Sequence, residues 1–125
     1  MTSLAEKAAR LQALHAGPGA FVIANAWDAG SARVLAGLGF KALATSSAAA
    51  ANTLGRNDGR ITREESLAHA KAIVDATDVP VSADLEKCFA DDPKEAAKTI
   101  TLAAGAGLVG SARSTDPTLG AASVP

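Results

Sequence analysis

The chain is poor in the residues that mark several large classes of protein. It has a single cysteine, Cys88, so no disulfide can form within it, which is typical of a reducing cytoplasm. It holds 12 lysines and arginines against 13 aspartates and glutamates, so there is no basic excess to bind nucleic acid or an anionic membrane. No apolar stretch approaches the ~18 residues that a membrane-spanning helix needs. We therefore expect a cytoplasmic protein with neither a nucleic-acid partner nor a membrane partner.

Aromatic residues are rare as well, at 3% of the chain, although 48% of it is apolar and alanine is prominent. Small apolar side chains let helices pack closely against a second layer of structure. The 125 residues are enough for one domain with a core of ordinary size.

Helical and strand-like patterns alternate along the chain. The predicted helices are 3–16, one between Asp28 and Gly39, 63–76, and one that opens at 91–93 and ends at 105–107. The predicted strands are 21–24, 40–45, 80–83 and 108–110. Residues 46–59 are predicted to form a long loop with a helical turn at 48–51.

This alternation predicts an α/β fold of about four parallel strands with their helices, preceded by an N-terminal helix, because each helix would cross over between parallel strands. The candidates are part of a (β/α)8 TIM barrel and a small doubly wound sheet. A complete barrel needs about 250 residues, so this chain would hold about half of one. We assign the half barrel to residues 1–110. Residues 111–125 are rich in Ser, Thr, Pro and Gly and are predicted to form an irregular tail.

Two acids, Asp84 and Glu86, follow the third predicted strand. Ligands of parallel α/β folds bind at the carboxyl ends of the strands, and strand residues two apart point to the same side. Two carboxylates aimed at one point repel each other unless a cation or a proton lies between them. Oxygen ligands of this kind suit Mg²⁺ or Mn²⁺. On spacing alone, the alternative stays open that both acids are solvated loop residues.

Two other segments are candidates for the same site. Residues 45–48 follow the second predicted strand, where hydroxyls and backbone N–H groups could hold a carboxylate or phosphate, or simply form a turn. Residues 55–59 form a glycine-flanked turn from which Asp58 could approach as a third acid, or a surface loop without a role. The length of the connection favours function mildly. No histidine is placed to activate Cys88 as a nucleophile.

In this order, the motifs resemble the isocitrate lyase/phosphoenolpyruvate mutase superfamily, and in particular its phosphonomutases and methylisocitrate-lyase-like proteins. The resemblance covers roughly residues 3–110. Its motifs are FVIANAWDAGSARVLAGLGFKALATSS, LGRNDG, ITREESLAHAKAIV, PVSADLE and DDPKEAAKTITLAAGAGLVG.

The resemblance implies a (β/α)8 barrel, usually oligomeric, that binds Mg²⁺ and makes or breaks C–C or P–C bonds of small 2-oxo or 2-hydroxy carboxylates through an enolate. It implies that Asp84 is the principal metal ligand, that Glu86 assists through water, and that Asp58 lies by the water shell of the metal. It also implies that the substrate carboxylate is held by Ser46, Ser47 and Ala48.

The sequence departs from the family after its last predicted strand. The family continues there into an acidic stretch whose glutamate completes the metal site, whereas this chain reads SARSTDP. The family's remaining four strands have no counterpart. We therefore expect the N-terminal half of such an enzyme, prone to self-association and inactive by itself. The alternative is a small doubly wound module that binds a cation or small oxoacid without catalysis.

Overall fold

The computed structural model describes residues 2–112, in which five helices alternate with four strands. The elements in chain order are α1 (Leu4–Ala16), β1 (Ala24–Asn25), α2 (Ala29–Gly37), β2 (Leu43–Ala44), α3 (Ser47–Thr53), α4 (Arg63–Ala76), β3 (Val81–Asp84), α5 (Pro93–Gly105) and β4 (Gly110–Ala112). The tail predicted for 111–125 lies outside the described residues from position 113 onwards.

The four strands form one parallel sheet in the order β1-β2-β3-β4. Each strand therefore lies beside its neighbour in the sequence, and helices make the crossovers. This arrangement confirms the predicted α/β fold with four parallel strands, matching part of a TIM barrel. The division of the chain at residue 110 stays a prediction, although β4 runs to Ala112.

All four strands begin later than predicted, and β1 and β2 are also shorter. The second strand was predicted from Phe40, but the Phe40 amide donates to the carbonyl of Leu35 and so belongs to the end of α2. The chain can pair with the sheet only after that turn, at Leu43. The third strand extends through Asp84, which pairs with Ala112 on β4. Asp84 is thus the last residue of the strand and not the start of a loop.

Residues 46–59 form less of a loop than the sequence predicted: the helical turn predicted at 48–51 is confirmed, but it is part of the longer helix α3. Ser46 caps α3 by accepting a hydrogen bond from the amide of Ala49 at 3.2 Å, and the alanine-rich stretch continues the helix. The irregular part of this connection is therefore shorter, and the residues after β2 belong to a helix N-terminus.

The core lies between the sheet and its covering helices. Its largest fully buried apolar side chains include Leu43, Ile73, Val81 and Leu85. On α5, Ile100 and Ala104 follow the buried Ala96 at the helical spacing of an inward face but are themselves exposed. Thr99, and not Ile100, faces the core from this part of α5. The Thr99 hydroxyl donates to the carbonyl of Cys88 at 2.8 Å.

At the opposite end of the sheet, α1 is attached near the start of β3 and β4. The Arg10 guanidinium donates to the carbonyl of Asp78 at 2.6 Å. A Cβ atom at Gly110 would lie 3.2 Å from the Leu11 side chain, so α1 packs tightly against β4. Among residues 2–112 there is no helix with the length and apolarity that a membrane crossing requires.

Candidate functional site

Polar residues lie at the carboxyl ends of three adjacent strands. Asn25 ends β1, Thr45 follows β2, and Asp84 ends β3. Because the strands are parallel, these ends meet at one edge of the sheet. The Asn25 amide donates to the carbonyl of Thr45 at 3.0 Å, and the Asp84 backbone amide donates to the Thr45 hydroxyl at 3.1 Å.

The Asp84 carboxylate is held by two backbone amides. Its Oδ2 accepts from the amide of Ser47, and its Oδ1 accepts from the amide of Glu86, each at 3.1 Å. A carboxylate oxygen can accept two hydrogen bonds, so each oxygen keeps capacity for a further partner. The side chain is therefore both oriented and able to take up another ligand.

The two-residue spacing predicted that Glu86 would point into the site from the strand. In the structure, Glu86 instead reaches the site from a turn after β3. Its φ is +53°, and Cys88 and Phe89 also have positive φ, at +64° and +56°. Such conformations cost about 1–3 kcal/mol each in residues other than glycine. Hydrogen bonds offset this cost, among them one from the Cys88 amide to the carbonyl of Leu85 at 2.7 Å. Alternation along a strand is therefore not what brings the two acids together.

The electrostatic environment of Glu86 is unfavourable for a bare carboxylate. Burial is the main reason that the pKa of Glu86 is raised, and the charges of Asp58 and Asp84 raise it further. Its Oε1 is buried and has no hydrogen-bond partner among residues 2–112. Either a proton or a bound cation would relieve this situation.

We expect Glu86→Gln to stabilise the metal-free protein near pH 7 and to have no such effect near pH 4. Since the pKa of Glu86 is raised on folding, the folded state holds more proton than the unfolded state between the two pKa values. Stability therefore falls as pH rises through this window, and the neutral amide removes the loss. Thermal unfolding in EDTA at both pH values measures the difference.

The control for this comparison is Glu64→Gln, because the Glu64 side chain is 74% exposed. An unchanged or lower Tm for Glu86→Gln near pH 7, relative to the unsubstituted protein, would show that the charge of the partly buried Glu86 carboxylate is already compensated.

Asp58 lies on an exposed loop that is tied to α4. Arg56 makes an ion pair of 2.7 Å with Glu65, which also completes the capping box of α4 with Thr62. The hydrogen bond from Arg56 is the main cause that lowers the pKa of Glu65. Asp58 itself accepts from the Gly59 amide at 2.9 Å and is close enough to raise the pKa of Glu86. Asp58 therefore lies near enough to Glu86 to influence it electrostatically. The role of Asp58 as a third acid of the site stays a prediction.

The predicted substrate-binding residues form the start of α3. The Ser46 hydroxyl is occupied as the helix cap, and the Ser47 amide is occupied by Asp84. Ala48 lies in the first turn, where backbone amides have no carbonyl partner within the helix. Two of the expected groups are thus already engaged, and the binding role of all three residues stays a prediction.

The acids fit a partial Mg²⁺ site. Residues 2–112 contain no group of three or more His, Cys, Asp or Glu side chains placed to hold a metal ion. Mg²⁺, however, is usually bound by one or two carboxylates and keeps several waters. The free acceptor capacity of Asp84 and the unpartnered oxygen of Glu86 suit such a site in their chemistry.

Asn25 is a residue of this edge that the sequence analysis did not single out. Asn25 directly follows a short apolar stretch, just as Thr45 and Asp84 each follow an apolar stretch. This shared position is the sequence feature that could have identified Asn25 as a residue of the site. Trp27, two residues after Asn25, is half exposed, and its carbonyl accepts from the His69 ring at 2.6 Å.

The parallel α/β sheet, with acidic and hydroxyl groups at the carboxyl ends of its strands, belongs to the class of folds that match part of a TIM barrel. Residues 11–112 match the family model of phosphoenolpyruvate phosphomutase. The chain belongs to this family, within the PEP mutase/isocitrate lyase superfamily, and the resemblance seen in the sequence is confirmed. The search of curated proteins found no match.

Solved structures agree with this assignment. A candidate lyase/mutase from Burkholderia cenocepacia J2315 is 52% identical over 86% of this chain and 39% of its own, with a TM-score of 0.85. A candidate phosphonomutase from the same organism is 36% identical over 94% of this chain and 47% of its own, with a TM-score of 0.86. A 2,3-dimethylmalate lyase is 28% identical over 89% of this chain and 39% of its own, with a TM-score of 0.76. The chain spans less than half the length of each.

Proposed function

We propose that this chain carries part of the active site of an Mg²⁺-dependent lyase or mutase acting on small 2-oxo or 2-hydroxy carboxylates. Family membership supports a lyase- or mutase-like function, and the superfamily generally depends on divalent metals. The observation that carries the proposal is the Asp84 carboxylate at the end of β3, oriented by the amides of Ser47 and Glu86.

Asp84 would be the direct ligand of Mg²⁺, and Mn²⁺ could replace it. Glu86 would assist through a water molecule, and Asp58 would lie by the water shell. The raised pKa of Glu86 supports this assignment, because a bound cation would offset the repulsion among the three carboxylates. When bound, the ion would neutralise the negative charge that develops on an enolate.

The start of α3 would receive the carboxylate of the substrate. Ser46 and Ser47 shape this turn through their own hydrogen bonds, and the amide of Ala48 would donate to the substrate. Structural neighbours include a 2,3-dimethylmalate lyase, a phosphoenolpyruvate phosphomutase and an oxaloacetate acetylhydrolase, all named for small carboxylates. This shared chemistry supports cleavage or formation of a C–C or P–C bond beside a 2-oxo or 2-hydroxy acid.

We further propose that the chain self-associates and that a monomer is inactive. Within the described residues, β1 and β4 each have only one neighbouring strand, so both edges of the sheet are open. Apolar side chains are also exposed, among them Val22 before β1, Val34 on α2 and Leu38 at the end of α2. An uncovered sheet edge with exposed apolar groups favours pairing with another copy.

The cytoplasmic location stays a prediction.

The test combines mass, binding and turnover on the same sample. Size-exclusion fractions of mass known from light scattering are titrated with Mn²⁺ and oxaloacetate. They are then assayed for Mg²⁺-dependent release of pyruvate or glyoxylate from 2-methylisocitrate, isocitrate, oxaloacetate and phosphonopyruvate. We expect binding in all fractions and turnover, abolished by EDTA, in oligomers only.

The other outcomes discriminate between the candidate functions. Binding without turnover in any fraction would favour the alternative, a module that binds a cation or oxoacid without catalysis. The sheet of residues 2–112 has four strands, half the number of a complete barrel, and this observation supports the alternative. A folded protein that binds neither Mn²⁺ nor oxaloacetate would contradict both functions.

A further inference from the structure

We infer that Thr45 and Asn25 are positioning residues that hold the Asp84 carboxylate in its binding orientation. The inference deepens the proposed function and rests on it to the extent that Asp84 binds a metal. It starts from a chain of hydrogen bonds that runs across the ends of three strands, from Asn25 through Thr45 to Asp84.

Thr45 is the centre of this chain and makes three hydrogen bonds with three partners. Its amide donates to the carbonyl of Ser82 at 2.9 Å and thereby continues the pairing of β2 with β3. Its hydroxyl accepts from the Asp84 amide, and its carbonyl accepts from the Asn25 side chain. Thr45 is 5% exposed, so water cannot readily replace these partners.

Two hydrogen bonds restrain Asp84 at different places. The Thr45 hydroxyl fixes the backbone from which the Asp84 side chain projects, while the Ser47 amide holds its Oδ2. Ser47 lies two residues after Thr45, so one short segment restrains Asp84 at both its backbone and its carboxylate. Residues that hold a metal ligand in this way typically contribute about 10- to 100-fold to metal affinity.

Asn25 does not contact Asp84 through this network but restrains Thr45. Its side chain bridges the β1 end to the Thr45 carbonyl, at a point where the β1–β2 pairing has only two residue pairs. The bridge fixes the end of β2 against β1. Removing it would loosen Thr45 and, through it, Asp84.

The experiment compares Thr45→Val with Thr45→Ser. Valine keeps the shape of threonine and removes the hydroxyl, whereas serine keeps the hydroxyl and removes a methyl group. We expect Thr45→Val to weaken Mn²⁺ binding about tenfold, Thr45→Ser to remain within about threefold of the unsubstituted protein, and Asn25→Ala to fall between them. Mn²⁺ affinity is measured by electron paramagnetic resonance on protein of verified fold.

Thr77→Val is the matched control. The Thr77 hydroxyl is also buried, but it has no hydrogen-bond partner in the described structure and lies at the opposite end of β3. The same chemical change there is expected to leave Mn²⁺ affinity unchanged. Mn²⁺ affinity of Thr45→Val equal to that of the unsubstituted protein would overturn the inference, as would an equal loss in Thr45→Ser.

A second readout separates this inference from the proposed metal site. Amide hydrogen exchange at Ser47 and Glu86 reports directly on the two bonds to the Asp84 carboxylate. We expect faster exchange of both amides in Thr45→Val and restored protection in Thr45→Ser. If the unsubstituted protein bound no Mn²⁺, the proposed function would fail and this readout would still decide the inference; unchanged exchange in Thr45→Val would refute it. If Thr45→Val did not fold, Asn25→Ala would decide the inference, with Thr45→Ser as the control that keeps the hydroxyl. Unchanged exchange of the Ser47 and Glu86 amides in Asn25→Ala would then refute it.

Discussion

Asp84→Asn is expected to reduce the Mn²⁺ affinity of the chain by more than about 100-fold, because groups that merely support a metal ligand already contribute about 10- to 100-fold. The substitution removes the charge and places an amide where two backbone N–H groups converge, from Ser47 and Glu86. An amide has only one acceptor oxygen, so one of these donors loses its partner. Isothermal titration with Mn²⁺ at fixed ionic strength measures the loss.

The control is Asp75→Asn, which changes the net charge equally. Asp75 is exposed on α4, where it pairs with Lys71 at 2.7 Å, and it lies near the other end of the sheet. We expect its affinity to match that of the unsubstituted protein. Equal affinities for Asp84→Asn and Asp75→Asn would remove Asp84 from the proposed metal site.

Asp84→Asn should also act on its neighbour. The charge of Asp84 is one of the causes that raise the pKa of Glu86, after burial and Asp58. Without that charge, the pKa of Glu86 is expected to move back toward its ordinary value. This change, followed by the NMR signal of the Glu86 carboxyl carbon during a pH titration, would show that the two acids interact even in the absence of metal.

The second large effect is on stability: Gly107→Ala is expected to destabilise the fold by about 2–5 kcal/mol. Gly107 ends α5 with φ of +96°, and a Cβ atom there would lie 2.7 Å from Cγ1 of Val74. The conformation costs an L-residue about 1–2 kcal/mol, and overpacking against a buried side chain adds about 1–3 kcal/mol. Urea denaturation, with the slope checked for constancy, measures the change.

Gly39→Ala separates the two contributions. Gly39 ends α2 with nearly the same φ, +99°, and no atom lies within 4 Å of the position that its Cβ would take. Both glycines make the same pair of hydrogen bonds to the preceding helix, from their own amide and from the next one. Gly39→Ala should therefore show the conformational cost alone, about 1–2 kcal/mol.

A double substitution completes this test. In Gly107→Ala with Val74→Ala, the contact that causes the overpacking is removed, so the two changes should couple favourably. Additive effects would show that the loss at Gly107 arises from its backbone conformation and not from contact with Val74.

Helix ends are the part of this fold that was most open to prediction. Thr62 and Glu65 form the capping box that opens α4 where a helix was predicted to begin, and Asp92 with Pro93 opens α5 within the predicted range 91–93. These signals are readable because cap and helix lie within three residues of each other, so their hydrogen bonds depend on local sequence alone. The order of helices and strands followed from the same local patterns.

The strand limits were harder to predict because pairing depends on residues that are distant in the sequence. Phe40 has the apolar character of a strand residue, yet its amide is taken by the end of α2. Ile100 has the helical spacing of a core residue, yet it is exposed, since Thr99 occupies the inward position. Competition for partners in three dimensions overrode the local preference in both cases.

The amino-acid sequence alone was sufficient to place Asp84 directly after a predicted buried strand, to place hydroxyl groups after β2, and to indicate the family. The connection among these residues is a property of the folded protein. Asn25, Thr45 and Asp84 are separated by 20 and 39 positions and meet only because three parallel strands pair in one register. The turn with positive φ then brings Glu86 to the same edge, and burial with neighbouring charges raises its pKa. Such contacts depend on tertiary packing, which local sequence patterns do not encode residue by residue.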